Sequence, residues 1–289
     1  MYTDLHTLLA AAQERNVPLS QIVLENEIAI GDKNQQQVME ELEQYYTVME
    51  NSAHKALETP LPSTGNLITG VASVQNTYAN VGNSLCGDAV NRAMALALSS
   101  SEVNASMGKI CAAPTGGACG ILPAVLITVR ERRNLTLEQT LKGLLTASGI
   151  GVVIMKNATV SGAEGGCQAE CGVAAAMAAA AAVEMSGGTP EAAIHACSIA
   201  LMNIMGLVCD PVAGLVQVPC AQRNASQAVN ALLSADLALA GMKSVIPADE
   251  VVAAMYQVGK KMPMELRETA LGGLAVSPTA KAIAKKIMS

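Results

Sequence analysis

Residues 161–209 read SGAEGGCQAECGVAAAMAAAAAVEMSGGTPEAAIHACSIALMNIMGLVC. A glycine-rich loop, Ser161-Gly162-Ala163-Glu164-Gly165-Gly166-Cys167, feeds an alanine-rich run that stops near Gly187-Gly188. Alanine is the strongest helix former, and paired glycines suit the left-handed turn that closes a helix. Thr189-Pro190-Glu191 then opens a second helix, with threonine as cap and proline in the first turn, running to about Gly206. Two helices built from small residues, with no alternation of apolar and polar positions, predict a helical fold.

The same grammar extends outward. Toward the N-terminus, the pattern predicts a helix over 88–110. The glycine-rich loop Ala112-Ala113-Pro114-Thr115-Gly116-Gly117-Ala118-Cys119-Gly120 follows it, then a helix over 122–132. Thr136 and Gln139 form a capping box that opens the next helix. Toward the C-terminus, 210–222 reads as an irregular loop holding Pro211, Gly214 and Pro219. Helices are expected over 225–241, 248–261 and 278–287. Residues 212–218 are the best strand candidate, limited by the flanking prolines. Residues 1–31 suggest one short helix and a turn. Asp32 is expected to cap an amphipathic surface helix to about Leu57, with Val38, Leu42, Tyr46 and Met49 on its apolar face. Residues 59–87, punctuated by Pro60, Pro62, Gly65, Gly70, Gly82 and Gly87, read as mostly loop. The expectation is an all-α fold: one compact helical domain, with 1–60 as an N-terminal helical segment and 61–289 as the part that carries the chemistry.

Composition supports this. Of 289 residues 51% are apolar, yet Phe and Trp are absent, so Ala, Leu, Val, Ile and 15 Met must fill the core. Small side chains allow close helix approach, which suits a bundle better than a sandwich. Charged residues are sparse at 15%, with a net charge of -6, and no basic patch suggests nucleic-acid binding. Lys281, Lys285 and Lys286 fall at the end of a predicted helix, where they favour its dipole. The uncharged stretch 171–183 is bracketed by Glu170 and Glu184, and 192–209 contains His195, Ser198 and Asn203. Spanning a bilayer takes about 20 mostly apolar residues, so both read as buried core helices and no membrane role is expected. The N-terminus lacks a basic region followed by an apolar run, which predicts a cytoplasmic protein whose eight cysteines stay reduced.

Those cysteines lie at 86, 111, 119, 167, 171, 197, 209 and 220, with no CxxC pair. A zinc ribbon, a thioredoxin site and a bacterial ferredoxin pattern are therefore disfavoured. Cys167, Cys209 and Cys220 each fall at a boundary between helix and irregular loop, where free backbone N–H groups can serve sulfur and a helix start lowers a thiol pKa. Cys167 and Cys171 can share a helix face, a weak signal by spacing alone. Cys86, Cys111, Cys119 and Cys197 read as small buried hydrophobes.

Two long motifs carry a resemblance. Gly162-Ala163-Glu164-Gly165-Gly166-Cys167-Gln168-Ala169-Glu170, and the run from Gly206-Leu207-Val208-Cys209-Asp210-Pro211 to Val218-Pro219-Cys220, closely resemble the iron-sulfur L-serine dehydratase family. The spacings of 42 and 11 residues between Cys167, Cys209 and Cys220 are similar to that family's ligand spacing. Glu102-Val103-Asn104-Ala105-Ser106-Met107-Gly108, Ala113-Pro114-Thr115, Asn157-Ala158-Thr159 and Leu266-Arg267-Glu268-Thr269 extend the likeness over roughly residues 88 to 280. The resemblance implies an alpha chain that turns L-serine into pyruvate and ammonia. It implies a 4Fe-4S cluster held by Cys167, Cys209 and Cys220, with one iron left open as a Lewis acid and no pyridoxal phosphate. It also implies oxygen sensitivity, an oligomer and a separate beta chain, since related enzymes carry a second module whose histidine is a proposed base.

Within that frame Thr115, Asn157 and Ser161 are the expected catalytic positions, with Gly116, Gly117 and Lys156 nearby. Ordinary loop and cap duty is the competing reading for each. Glu164 and Glu170 flank Cys167; burial would suit one as a base, whereas exposure or helix-start charge is the plainer account. His6, His54 and His195 are the three histidines, and none reads as a general base. Fused relatives use a C-terminal cysteine to cap the open iron; the ending Lys285-Lys286-Ile287-Met288-Ser289 implies that this device is missing. The rival readings are a related lyase acting on threonine or cysteine, a non-catalytic iron-sulfur or zinc subunit, and a helical domain whose cysteines merely pack.

Overall fold

The alanine-rich segment becomes the axis of the molecule. In the computed structural model, which describes residues 1–288, α9 (Val173–Met185) is buried on every side apart from Glu184. A helix with apolar residues all round its circumference belongs in a core, and alanine lets its neighbours close in. It packs against α6 (Ile121–Arg133), α7 (Leu137–Asn157), α10 (Pro190–Met202) and α11 (Cys220–Leu239). Its few long side chains fit gaps left by glycine. A Cβ on Gly143 of α7 would lie 2.6 Å from Met185, and one on Gly151 would lie 2.9 Å from Met177.

Around this axis stand α1 (Leu5–Arg15), α2 (Leu19–Gly31), α3 (Gln35–Lys55), α4 (Val71–Ala79) and α5 (Gly87–Ala105). The short α8 (Gly162–Gly165), α12 (Ala248–Lys261) and α13 (Pro278–Met288) complete the set. No strand occurs among the described residues; one isolated parallel bridge joins Cys209 and Arg267. The all-α expectation therefore holds. The apolar core is continuous across residue 60: Leu5, Leu19, Val23 and Tyr46 belong to the same buried cluster as Leu122, Ile150 and Val251.

Several boundaries differ from the sequence reading. Residues 1–31 form two helices rather than one, broken at Val17-Pro18. Asp32 does not cap α3; it adopts the left-handed conformation that ends α2, and Asn34 caps α3 by accepting from Gln37 N–H. Helix α5 ends at Ala105, five residues early, where Met107 takes a positive φ and Gly108 N–H bonds Val103 O at 2.8 Å. The strand candidate over 212–218 is a tight turn instead, because Ala213 is left-handed and Val212 N–H bonds Val218 O within the same loop at 2.8 Å. Helix α11 begins at Cys220 rather than 225. Ser289 lies outside the described residues, so the reading of the chain's last position is not addressed by the fold.

The stretch 59–87, read as loop, contains α4. Its start is held by the fully buried Glu102 of α5, whose carboxylate accepts from Leu61 N–H at 2.6 Å, Gly70 N–H at 2.9 Å and Ala72 N–H at 3.3 Å. Two other helix starts are held the same way. Asp249 of α12 accepts from Leu5 and His6 N–H at the head of α1, and Glu184 of α9 accepts from Ser20 N–H at the head of α2. Carboxylates from distant helices thus satisfy N–H groups that a helix leaves open at its N-terminus.

Candidate active site

Gly166 takes a φ of +76°, which turns the chain sharply between α8 and Cys167. The following turn, Gln168–Gly172, is wound as a π-helix that runs on into α9. Gln168 is fully buried and acts as a clamp. Its amide donates to Gly165 O and Met255 O, both at 2.9 Å, and accepts from Gly206 N–H at 2.8 Å, while its backbone N–H bonds Leu207 O at 3.1 Å. The loop before Cys167 and the loop before Cys209 are thereby joined.

Cys209 is fixed from the other side. Its N–H donates to Leu266 O at 2.8 Å and its carbonyl accepts from Glu268 N–H at 2.7 Å. Asp210 binds Leu274 N–H at 2.7 Å and pairs with Arg223 at 2.8 Å. Arg223 also donates to Val208 O at 2.8 Å and interacts with the Cys167 sulfur. Cys220 opens α11, three residues before Arg223.

These elements gather four buried cysteines, Cys167, Cys171, Cys209 and Cys220. Cys167 Sγ lies 3.3 Å from Cys171 Sγ, and the Cys209 thiol is near enough to act on it. The thiols of Cys171 and Cys209, with the Arg223 guanidinium, hold Cys167 well below the usual thiol range. The same contacts, reinforced by burial, push Cys171 and Cys209 up. Burial, with the charge of Cys167 adding to it, pushes Cys220 up to about 12. Among the described residues no three His, Cys, Asp or Glu side chains are arranged to hold a single metal ion.

The second glycine-rich loop closes on this group. Asn224 of α11 donates to Gly117 O at 2.6 Å and to Cys220 O at 2.9 Å, and accepts from Gly120 N–H at 2.9 Å. Asn104 donates to Gly116 O at 3.0 Å. Thr115 Oγ1 then donates to Glu170 Oε1 at 2.5 Å. Burial pushes the Glu170 carboxyl up to about 7; the charges of Cys167 and Glu268 add to the effect and the Thr115 bond opposes it.

Of the three expected catalytic positions, Thr115, Asn157 and Ser161, Thr115 meets the group through Glu170. Ser161 lies half-buried at the head of α8, where its carbonyl accepts from Glu164 and Gly165 N–H. Asn157 is exposed, and its amide donates to Thr3 O at 2.9 Å, a tie to the N-terminal segment rather than to the thiols. Lys156 and Glu164 are exposed as well. The histidines are engaged elsewhere: His195 near Glu191 and Ser244, and His54 against Arg92. Cys119 and Cys197 are buried, with burial pushing each thiol up to about 12; Cys86 is exposed.

Sequence reasoning missed Arg223, Asp210, Gln168, Asn224 and Glu268 as parts of the site. Gln168, Asp210 and Glu268 did stand inside motifs behind the resemblance, without a role assigned to them, and the Cys209–Arg267 bridge now explains the position of Leu266-Arg267-Glu268-Thr269; Arg223 and Asn224 carried no such signal.

Comparison with known proteins fits this arrangement. The profile of the family described as "Serine dehydratase alpha chain" matches residues 14–275. The chain is 50% identical over 288 residues to "L-serine dehydratase, alpha chain" of Peptoniphilus asaccharolyticus, covering 100% of this chain and 99% of that protein. It is 46% identical over 287 residues to "Probable L-serine dehydratase, alpha chain" of Bacillus subtilis, covering 99% and 95%. "L-serine dehydratase 2" of Escherichia coli is 37% identical over 285 residues, which cover 95% of this chain and 61% of that protein.

Proposed function

This chain belongs to the serine dehydratase alpha chain family, and on that footing we propose that it is the catalytic chain of an iron-sulfur L-serine dehydratase, turning L-serine into pyruvate and ammonia. What supports the reading is that Cys167 and Cys209, from separate segments, act on each other's thiols, with Cys220 near enough to feel the charge of Cys167, beside Arg223 and a Thr115–Glu170 pair.

Cys167, Cys209 and Cys220 would hold a 4Fe-4S cluster. Thiolates are the donors such clusters take, and each binds a different iron, so the triad need not point at one ion. When bound, a cluster with one iron free of protein ligands supplies a Lewis acid for departure of the substrate hydroxyl. The chain's own residues prepare the site. Arg223 offsets negative charge at Cys167, and Gln168 and the Cys209–Arg267 bridge hold the two ligand loops in register. Thr115 and Ser161, at the heads of the two glycine-rich loops, position substrate; Asn157 anchors the end of α7.

No histidine joins the site; Glu170, buried and pushed up to about 7 beside the thiols, is the candidate base that this chain offers, and a separate beta chain in a cytoplasmic oligomer, whose relatives supply a histidine, is the other source. The match to only 61% of the E. coli protein supports a second module outside this chain.

The test is anaerobic reconstitution with iron and sulfide, alone and with a candidate beta chain, followed by a pyruvate assay on L-serine, L-threonine and L-cysteine. Pyruvate from L-serine is expected with the beta chain present. A reconstituted complex that binds iron but leaves L-serine untouched sinks the reading.

A further inference from the structure

Asn224 is 1% exposed and lies one helical turn after Cys220 on α11. Asparagine is a poor helix former, because its amide competes for backbone groups. Among Ala221, Ala225 and Ala228, all buried, packing alone asks for an apolar side chain. The amide is instead fully used. Its nitrogen donates to Gly117 O at 2.6 Å and Cys220 O at 2.9 Å, and its oxygen accepts from Gly120 N–H at 2.9 Å. A carboxamide has two N–H donors, so both are spent, one on the glycine-rich loop and one on the head of the helix.

That loop needs holding. Nothing lies within 4 Å of the point where a Cβ on Gly116 would stand, so side-chain packing does not fix that residue, and consecutive glycines leave the backbone free to turn. The Gly116 carbonyl is held from α5 by Asn104 at 3.0 Å. Further on, Gly120 is pressed against α5, where a Cβ would meet Ala97 O at 2.4 Å. On the near side, Thr115 Oγ1 accepts from Ala118 N–H at 3.3 Å and donates to Glu170. A Cβ on Gly117 would stand 2.5 Å from Glu170 Oε1. Gly117 therefore runs directly against the carboxyl that Thr115 holds, and Asn224 sets its distance from the helix that opens with Cys220.

We infer that Asn224 is a positioning residue, which locks the Gly116–Gly120 loop to the head of α11 so that the Thr115–Glu170 pair stands in register with the thiols. This rests on the serine reading above. The bonds from its side chain all go to backbone groups, so it acts through Gly117 and Gly120. Cys220 keeps its place without it: Ala221 N–H on Gln217 O and Arg223 N–H on Pro219 O, both at 2.9 Å, hold the start of α11. Loss of the amide thus frees the loop and leaves the ligand helix where it is.

The experiment uses the anaerobically reconstituted holoenzyme with its beta chain. Steady-state assays give KM and kcat for L-serine in the wild type, Asn224→Ala and Asn104→Ala, with iron-to-protein ratio and hydrogen exchange measured on the same samples. Asn224→Ala is expected to raise KM about tenfold or more, the scale of the two hydrogen bonds that the loop loses. Its iron content is expected to stay unchanged, and exchange to quicken over residues 115–120 while α6 and α9 remain protected. Asn104→Ala, which frees Gly116 O alone, is expected to raise KM by a smaller factor. Asn224→Asp keeps the acceptor for Gly120 N–H but neither donor; it serves if the alanine variant fails to fold, with KM again expected to rise. A merely structural Asn224 lowers Tm and the yield of active enzyme but leaves KM unmoved, and that result overturns the assignment. A folded variant that loses iron overturns it too, since the residue then serves the ligand helix and not the loop. Should neither Asn224 variant fold, an unaltered KM in Asn104→Ala overturns it. Wild-type holoenzyme that makes no pyruvate from L-serine removes the functional reading itself, whereas exchange over 115–120 that ignores Asn224→Ala removes this inference alone.

Discussion

Gly259 of α12 and Gly165 of α8 bring two backbones into direct contact: a Cβ on Gly259 would lie 2.6 Å from Gly165 Cα and 3.1 Å from Gly165 O. The same Cβ would stand 3.2 Å from the amide nitrogen of Gln168, the residue that clamps the two ligand loops. No flexible side chain is there to give way. Gly259→Ala must therefore push α8 off α12, at a cost of about 1–3 kcal/mol for an overpacked contact. The expected result is a lowered Tm together with reduced iron uptake in anaerobic reconstitution. An unchanged iron-to-protein ratio in a folded variant would show that this packing does not govern the thiol loops.

The four gathered cysteines do not carry equal weight. Cys167→Ala, Cys209→Ala and Cys220→Ala are each expected to abolish most iron retention, because each removes one thiolate of the proposed triad. Cys171→Ala is expected to keep it, although its sulfur is the one 3.3 Å from Cys167. Iron-to-protein ratio and visible absorbance after desalting decide. If Cys171→Ala loses the cluster while Cys220→Ala keeps it, the ligand set has been drawn wrongly.

How much of this was open to a reader of the sequence follows from where each interaction sits along the chain. Thr136 and Thr189 cap their own helices through residues three positions away, so both were legible. The α9 core was legible because alanine burial follows from composition. The helix starts held by Glu102, Asp249 and Glu184 were not, since each carboxylate comes from 30 to more than 240 residues away. For that reason α4 was hidden: its own residues bury only Ala72 and Ala79, too little to show a helical period. The site divides in the same manner. Loop boundaries singled out Cys167, Cys209 and Cys220, whereas Arg223, Gln168 and Glu268 join only through tertiary pairing.

Glu102 makes the largest of these distant caps. Glu102→Ala strips the fully buried partner from Leu61, Gly70 and Ala72 N–H, of which Ala72 is buried and the other two half-buried. Leaving buried donors unsatisfied costs about 1–3 kcal/mol each where water cannot reach them. The variant is expected to lose several degrees of Tm and to show fast hydrogen exchange over residues 61–80, with α9 still protected. Uniform loss of protection across the molecule would mean that α4 is not held separately by this carboxylate.

Glu184 ties pH to stability. It sits on the buried axis helix, accepting from Thr146 Oγ1 at 2.7 Å and Ser20 N–H at 3.3 Å. Burial raises its carboxyl above the usual value of 4.5, and the bonds from Ser20 and Thr146 oppose that shift only in part. A raised folded-state pKa means that the folded chain binds more protons than the unfolded chain between the two values. The contribution is therefore fully present below the ordinary carboxylate value and is lost as pH rises through the folded one. Glu184→Gln keeps an oxygen for Thr146 and Ser20 but carries no charge to desolvate. The difference in Tm between this variant and the wild type is thus expected to shift in the variant's favour as pH rises from about 4 to about 8, then to level off once the wild-type carboxyl is fully ionised. Thermal melts of both proteins across that range measure it. A difference that runs the opposite way would mean that the bonds at the head of α2 outweigh burial and that the ionised carboxylate is the form the fold prefers.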